Sequence, residues 1–198
     1  MVFKRGLLFL SVFGLLAITT MSAENPRILI KTELGDILIE VYPDKVPVTV
    51  ANFLRYVDEG RFEGAMFFRV VTMDNQPNME IKIEIIQGGL SRAANARPLP
   101  PIEHETTDQT GILHKDGTVS MARLMPGSAS SDFFICVGDQ PSLDFGGMRN
   151  RDGQGFAAFG MVIEGMDVVR KIQQQPSERQ YLTTPIKIFS IKRAGAGR

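Results

Sequence analysis

Eight short runs rich in Val, Ile, Leu and Phe recur between Arg27 and Lys192, and only two stretches interrupt them with a helical period. The runs span residues 27–34, 37–42, 66–71, 81–86, 118–122, 132–137, 156–163 and 185–192. Gly35-Asp36 between the first two predicts a hairpin. Polar or Gly- and Pro-bearing links separate the others: residues 72–80, the proline-containing stretch 90–116, Pro126-Gly127-Ser128, and a long Gly-rich loop over 145–155. Between Pro47 and Gly60, residues Val50, Phe53, Leu54 and Val57 fall on one face of a helix, with Asn52, Arg55 and Glu59 on the other side. A second, shorter helix runs over 166–174, with Val168, Val169 and Ile172 inward and Pro176 as its stop. An open sheet of this many strands would expose two edges of unpaired backbone groups, and closure removes both. The pattern therefore predicts a mostly antiparallel β-barrel with two covering helices, and by itself it names no activity.

Charge and composition exclude more than they select. Lys plus Arg and Asp plus Glu both number 22, so no basic footprint for nucleic acid exists. The single cysteine, Cys136, sits inside the apolar run Phe133 to Val137, where it reads as packing. With only His104 and His114 beside it, neither a cysteine nucleophile nor a zinc site is expected, and His114 reads as a surface or loop residue without chemistry. Residues 1–23 carry Lys4 and Arg5, an apolar stretch from Gly6 to Ile18, and then small polar residues. That is the order of a secretory signal peptide, and its apolar run is too short for an ordinary membrane span. The expectation is an exported, periplasmic or secreted domain over 24–198, with no stable membrane insertion once the signal is removed.

Four segments carry a resemblance: TELGDILIEVYPDKVPVTVANFLRYVDEG at 32–60; FFRVV at 67–71 with IIQGG at 85–89; GTVSMAR and SSDFFIC at 117–123 and 130–136; and FAAFGMVIEGMDVV at 156–169. In this order they resemble the bacterial-type cyclophilin family of peptidyl-prolyl cis/trans isomerases. The resemblance implies a closed eight-stranded antiparallel barrel capped by two α-helices, a monomer acting on proline-containing polypeptides, and a substrate groove on the outside of the barrel. Residue by residue, it implies Arg69 as the catalytic group. Gln87, Ala122, Phe134 and Leu143 become substrate-binding residues, joined by Ile85, Arg123, Asp132 and Phe156. Several of these depart from the common pattern. Arg123 stands where Asn is usual, Asp132 where Gln is usual, and Phe156 where His is common. Only isoleucines occupy the stretch where a pocket Phe is expected. Ser142 stands where an aromatic residue often precedes the pocket leucine.

The implied reaction suits these residues. An X-Pro amide rotates across a barrier of about 18–20 kcal/mol because rotation breaks resonance. No bond is cleaved, so neither metal nor cofactor is required. A catalyst need only hold the twisted amide more tightly than the planar one. Twisting localises the lone pair on the proline nitrogen, and a permanently charged guanidinium is a fitting donor to it. Three readings follow: an isomerase that assists folding of exported proteins, a proline-peptide-binding chaperone module with little catalysis, or an unrelated lipocalin-like small-molecule barrel, which would need an internal cavity.

Overall fold

The register between neighbouring strands decides this architecture. A computed structural model describes residues 24–195; the export signal expected at 1–23 lies outside the described residues. Strands β1 (Arg27–Thr32) and β2 (Gly35–Val41) precede helix α1 (Pro47–Asp58). Strands β3 (Met66–Val71) and β4 (Ile85–Gly89), helix α2 (Thr107–Thr110), and strands β5 (Thr118–Met121) and β6 (Phe133–Cys136) follow. The order closes with β7 (Ala158–Glu164), α3 (Met166–Gln173), β8 (Ser177–Glu178) and β9 (Tyr181–Arg193). Hydrogen bonding runs β1-β2-β7-β5-β6-β4-β3-β9 and returns from β9 to β1, which closes eight antiparallel strands into a barrel. The two-residue β8 pairs only with β9, as a lip on the rim.

The barrel is filled with side chains. Ile28, Ile30, Ile37, Ile39, Phe67, Ile86, Val119, Phe133 and Ile135 meet in one buried cluster. Helix α1 closes one end, where Phe53 packs edge-on to Phe133 (5.8 Å between ring centres) and tilted against Phe159 (4.9 Å). Its first turn lacks a local side-chain cap. Glu105 supplies one from a distant loop, accepting the N–H groups of Val48 and Thr49 at 3.1 and 2.7 Å. Helix α3 buries Val168, Val169 and Ile172 against β2, β3 and β4. No helix among the described residues is long and apolar enough to cross a membrane.

Five details differ from the sequence reading. The first hairpin turns at Glu33-Leu34, because Thr32 pairs with Gly35. Gly35 serves another end: at φ +135°, any Cβ there would lie 2.7 Å from a methyl of Val168, so it lets α3 approach. Residues 81–84 alternate like a strand but are held off the sheet by Gln76, whose side chain bonds both the carbonyl and the N–H of Ile83 (2.7 and 3.3 Å). Strand β9 is 13 residues long because it does not start at Pro185. That proline instead sits in a bulge, where the register against β3 jumps from Phe67↔Ile186 to Arg69↔Tyr181 and no ladder N–H is needed. Asn52, assigned to the polar side of α1, is buried and donates to the Ser130 carbonyl at 2.8 Å. The four-residue α2 adds a third helix to the two expected.

Candidate active site

A row of cross-strand neighbours forms the site. Tyr181 on β9 pairs with Arg69 on β3, Arg69 with Gln87 on β4, Gln87 with Phe134 on β6, and Phe134 with Ser120 on β5. Directly paired residues share a face of the sheet. This is the outer face, since the alternate residues on β6, Phe133 and Ile135, lie in the barrel core. All four residues of β6 are nevertheless buried, because loops cover its outside. Gly88 and Gly89 continue β4 past Gln87. Gly89 has φ +138°, and a Cβ there would stand 2.7 Å from the Asp132 Cα and 2.8 Å from the Ser131 carbonyl, so only glycine fits.

Arg69 is held on two sides. Its Nη1 donates to Gln87 Oε1 at 2.8 Å, and its Nη2 and Nε both donate to Gln180 Oε1 at 2.6 and 3.1 Å. A guanidinium has five N–H donors. Three are committed here, which leaves one on each terminal nitrogen for a substrate. Burial pulls the Arg69 pKa below its ordinary value; Tyr181 acts in the opposite sense, and the like charge of Arg149 adds to the lowering. Nothing in the sequence pointed to Gln180, which lies 111 residues from Arg69.

Beside Arg69 lies an apolar pocket. Phe134, Leu143, Ile83, Ile85, Val71 and Cys136 form a second buried cluster outside the barrel, with Ala122 and Phe156 packed against it. The Phe134 and Phe156 rings meet edge to face at 5.3 Å. Together with Arg69, Gln87, Ile85, Ala122, Arg123, Asp132 and Leu143 they line one groove of about 710 Å³, so all nine sequence-assigned residues come together. Met79, Ile83, Arg92, Arg149, Gln180 and Tyr181 line it too. Ser142 is not among the lining residues; its carbonyl accepts the Arg149 N–H at 3.1 Å.

His114 is not on the surface. It is 1% exposed, and its Nδ1 is hydrogen-bonded to Asp144 Oδ1 at 2.7 Å and its Nε2 to Ser120 Oγ at 3.0 Å. The imidazole stacks on Phe134, with 5.9 Å between ring centres. This Asp-His-Ser chain has the connectivity of a nucleophile triad, yet Ser120 is fully buried. It therefore serves as a hydrogen-bonded backing that fixes the pocket ring.

Arg123 and Asp132 line the groove, and each is hydrogen-bonded to a neighbouring loop. Arg123 Nη1 and Nη2 form a bidentate pair with Asp152 at 2.8 and 2.9 Å. Its Nε and Nη2 also donate to the Gly155 carbonyl, and the guanidinium lies over the Phe156 ring at 5.1 Å. Asp132 Oδ1 accepts the N–H groups of Leu90 and Ser91 at 3.0 and 3.1 Å. Both hold loops around the groove. Beside them a smaller hollow of about 310 Å³ adjoins the groove, lined by Gln87, Ala122, Ser128, Ser131 and Asp132 among others.

The chain is similar to known proteins in sequence and in fold. Residues 27–193 match the family described as cyclophilin type peptidyl-prolyl cis-trans isomerase/CLD. A peptidyl-prolyl cis-trans isomerase of Acinetobacter baylyi is 35% identical over 187 residues, covering 91% of this chain and 92% of that protein. Peptidyl-prolyl cis-trans isomerase B of Escherichia coli is 37% identical over 143 residues, covering 72% and 80%. The crystal structure of a cyclophilin type peptidyl-prolyl cis-trans isomerase of Cryptosporidium parvum superposes with a TM-score of 0.68 at 20% identity, over 87% of this chain and 99% of that one. A second structure of that protein, in the presence of the dipeptide Ala-Pro, gives 0.69 at 21% identity, over 86% and 99%. With its family match, its relatives and its closed barrel in agreement, the chain belongs to the cyclophilin-type peptidyl-prolyl cis-trans isomerases.

Proposed function

We propose that Arg69 is the catalytic donor of this isomerase and that its substrates are exported polypeptides in the course of folding. The observation that carries the first part is a guanidinium fixed by two glutamine amides beside an apolar pocket of buried side chains. A proline ring seated against Phe134, Leu143, Phe156 and Ile85 brings its amide nitrogen under Arg69. As the amide twists, its lone pair becomes an acceptor for one of the two uncommitted N–H groups, an interaction that the planar ground state does not offer. The guanidinium stays charged at any working pH, and Gln87 and Gln180 remove the need to orient it during the reaction. The Ala-Pro dipeptide used with the Cryptosporidium protein fits a pocket of this chemistry. Export rests on the sequence of residues 1–23.

Isomerisation of a proline peptide by wild type and Arg69→Ala tests the assignment. The variant keeps its circular dichroism and loses at least about tenfold in kcat/KM, equivalent to about 1.4 kcal/mol. Arg69→Lys recovers little, because a point charge cannot reproduce the fork. Full activity in folded Arg69→Ala overturns the role. Wild-type protein that binds proline peptides without isomerising them would be a binding module instead. Export is checked separately, by whether a reporter fused behind residues 1–23 leaves the cytoplasm.

A further inference from the structure

The chain is electrically balanced, but the groove is not. Its charged lining residues are Arg69, Arg92, Arg123, Arg149 and Asp132. Arg123 is neutralised by Asp152. Among the described residues, none of the other three arginines has a carboxylate within ion-pair distance. Arg69 is bonded to amides, and Arg149 Nη1 donates to Gln76 Oε1 and the Ile81 carbonyl at 2.9 and 2.6 Å. Arg92 is exposed and lies over the Tyr181 ring at 4.7 Å. Arg149 is close enough to depress the pKa of Arg69, and its own is lowered by burial.

The imbalance is also one-sided. Arg69, Arg92 and Arg149 line the same groove as the apolar pocket residues. The adjoining hollow contains none of them and borders the groove's only carboxylate, Asp132. A peptide laid with its proline in the pocket and Arg69 over the amide has one flank toward the hollow and the other among uncompensated cations. Like charges held together between low-dielectric walls attract a counter-charge more strongly than an exposed arginine does. An acidic side chain is the counter-charge that a polypeptide substrate can bring. Asp132 gives no such welcome on the opposite flank.

We propose that this isomerase prefers prolines that carry an acidic residue, Asp or Glu, on one flank and not on the other. The preference rests on the reading of the groove as the substrate site. The test is a set of short proline peptides with Glu or Gln placed in turn before and after the X-Pro pair, assayed on the full-length protein at low and high salt. Glu exceeds Gln in kcat/KM by at least about threefold at one flank at low salt, and the ratio falls toward unity at high salt. At the other flank Glu brings no gain. Arg92→Glu, on an exposed side chain, shrinks or inverts the favourable ratio. Equal rates for Glu and Gln at both flanks overturn the preference, as does an equal gain at both, while turnover of the Gln peptides leaves the isomerase site intact. Failure to turn over any peptide overturns the site reading and the preference with it.

Discussion

At Gln180 the backbone stands at φ +77°, next to Arg179 at φ +47°, in the tight turn between β8 and β9. Two successive left-handed residues suit Asn-Gly, and longer side chains cost about 1–2 kcal/mol each there. The side chain held in this position is the one that accepts two hydrogen bonds from Arg69, while its Nε2 donates to the Asn75 carbonyl at 3.3 Å. Gln180→Gly therefore separates the two functions of the position. Unfolding in urea shows stability unchanged or raised by up to about 1 kcal/mol, because the turn relaxes. Isomerisation shows kcat lowered several-fold with KM little changed, because Arg69 has lost its second anchor. A purely structural glutamine would lower stability and leave kcat intact. Arg69 and Gln87 were legible in the sequence because short motifs surround them. Gln180 was not, since its turn lacks Gly and Asn and reaches Arg69 only through the β3–β9 register. His114 was misplaced because a lone histidine in a polar stretch gives no sign of the Asp144 and Ser120 that bury it.

The loop over 145–156 acts as an element without regular structure. Arg123 binds it through Asp152 and the Gly155 carbonyl, and Phe156 at its end closes the pocket. The Arg123 guanidinium, helped by the Gln154 N–H, holds the Asp152 carboxyl down to about 2. A carboxylate with a folded pKa below its unfolded value stabilises the fold fully above the unfolded pKa and loses that contribution as pH falls through the folded one. Wild type should thus exceed Asp152→Asn in urea midpoint at neutral pH, with the gap closing between about pH 4 and pH 2. The gap is modest, because Asp152 is partly exposed. A gap that stays constant over that range would remove the pair from the account. Helices α1 and α3 and most strands were legible from their periods. Residues 81–84 were not, because Ile83 is buried in a loop by an amide, Gln76, rather than by strand pairing.

For the molecule as a whole, Phe133 and Phe134 mark the boundary between container and site. Adjacent on β6, they point to opposite sides, one into the barrel among Phe53, Phe62 and Phe67, the other into the pocket against Phe156 and His114. Truncating either buried ring to alanine costs on the order of 3–5 kcal/mol. Their activities diverge. Phe133→Ala retains most of its kcat/KM per folded molecule, whereas Phe134→Ala loses about tenfold or more, chiefly in KM, since the proline loses its floor. Equal loss in both would mean that the barrel interior shapes the groove. The closed eight-stranded plan was legible because strand count and edge avoidance leave few alternatives. The β8 lip was not, since two residues are too few to show a period.

Closure by β1 against β9 has a kinetic consequence. Ile30 pairs with Ile191, and the Ala194 N–H reaches the Arg27 carbonyl at 2.8 Å. A growing polypeptide therefore carries two open seams, along β1 and along β3, until residue 193 has left the ribosome. The same strand then seals both in one late step, so vectorial synthesis yields no intermediate with a finished wall. Moving that step is a matter of rewiring. If Arg27 and Ala194 are linked by a short spacer and new ends are opened between the exposed Ala94 and Asn95, β9 is made early and the seam that closes last becomes an interior one. Such a circular permutant keeps every strand pair and folds to an active enzyme by a different order of events.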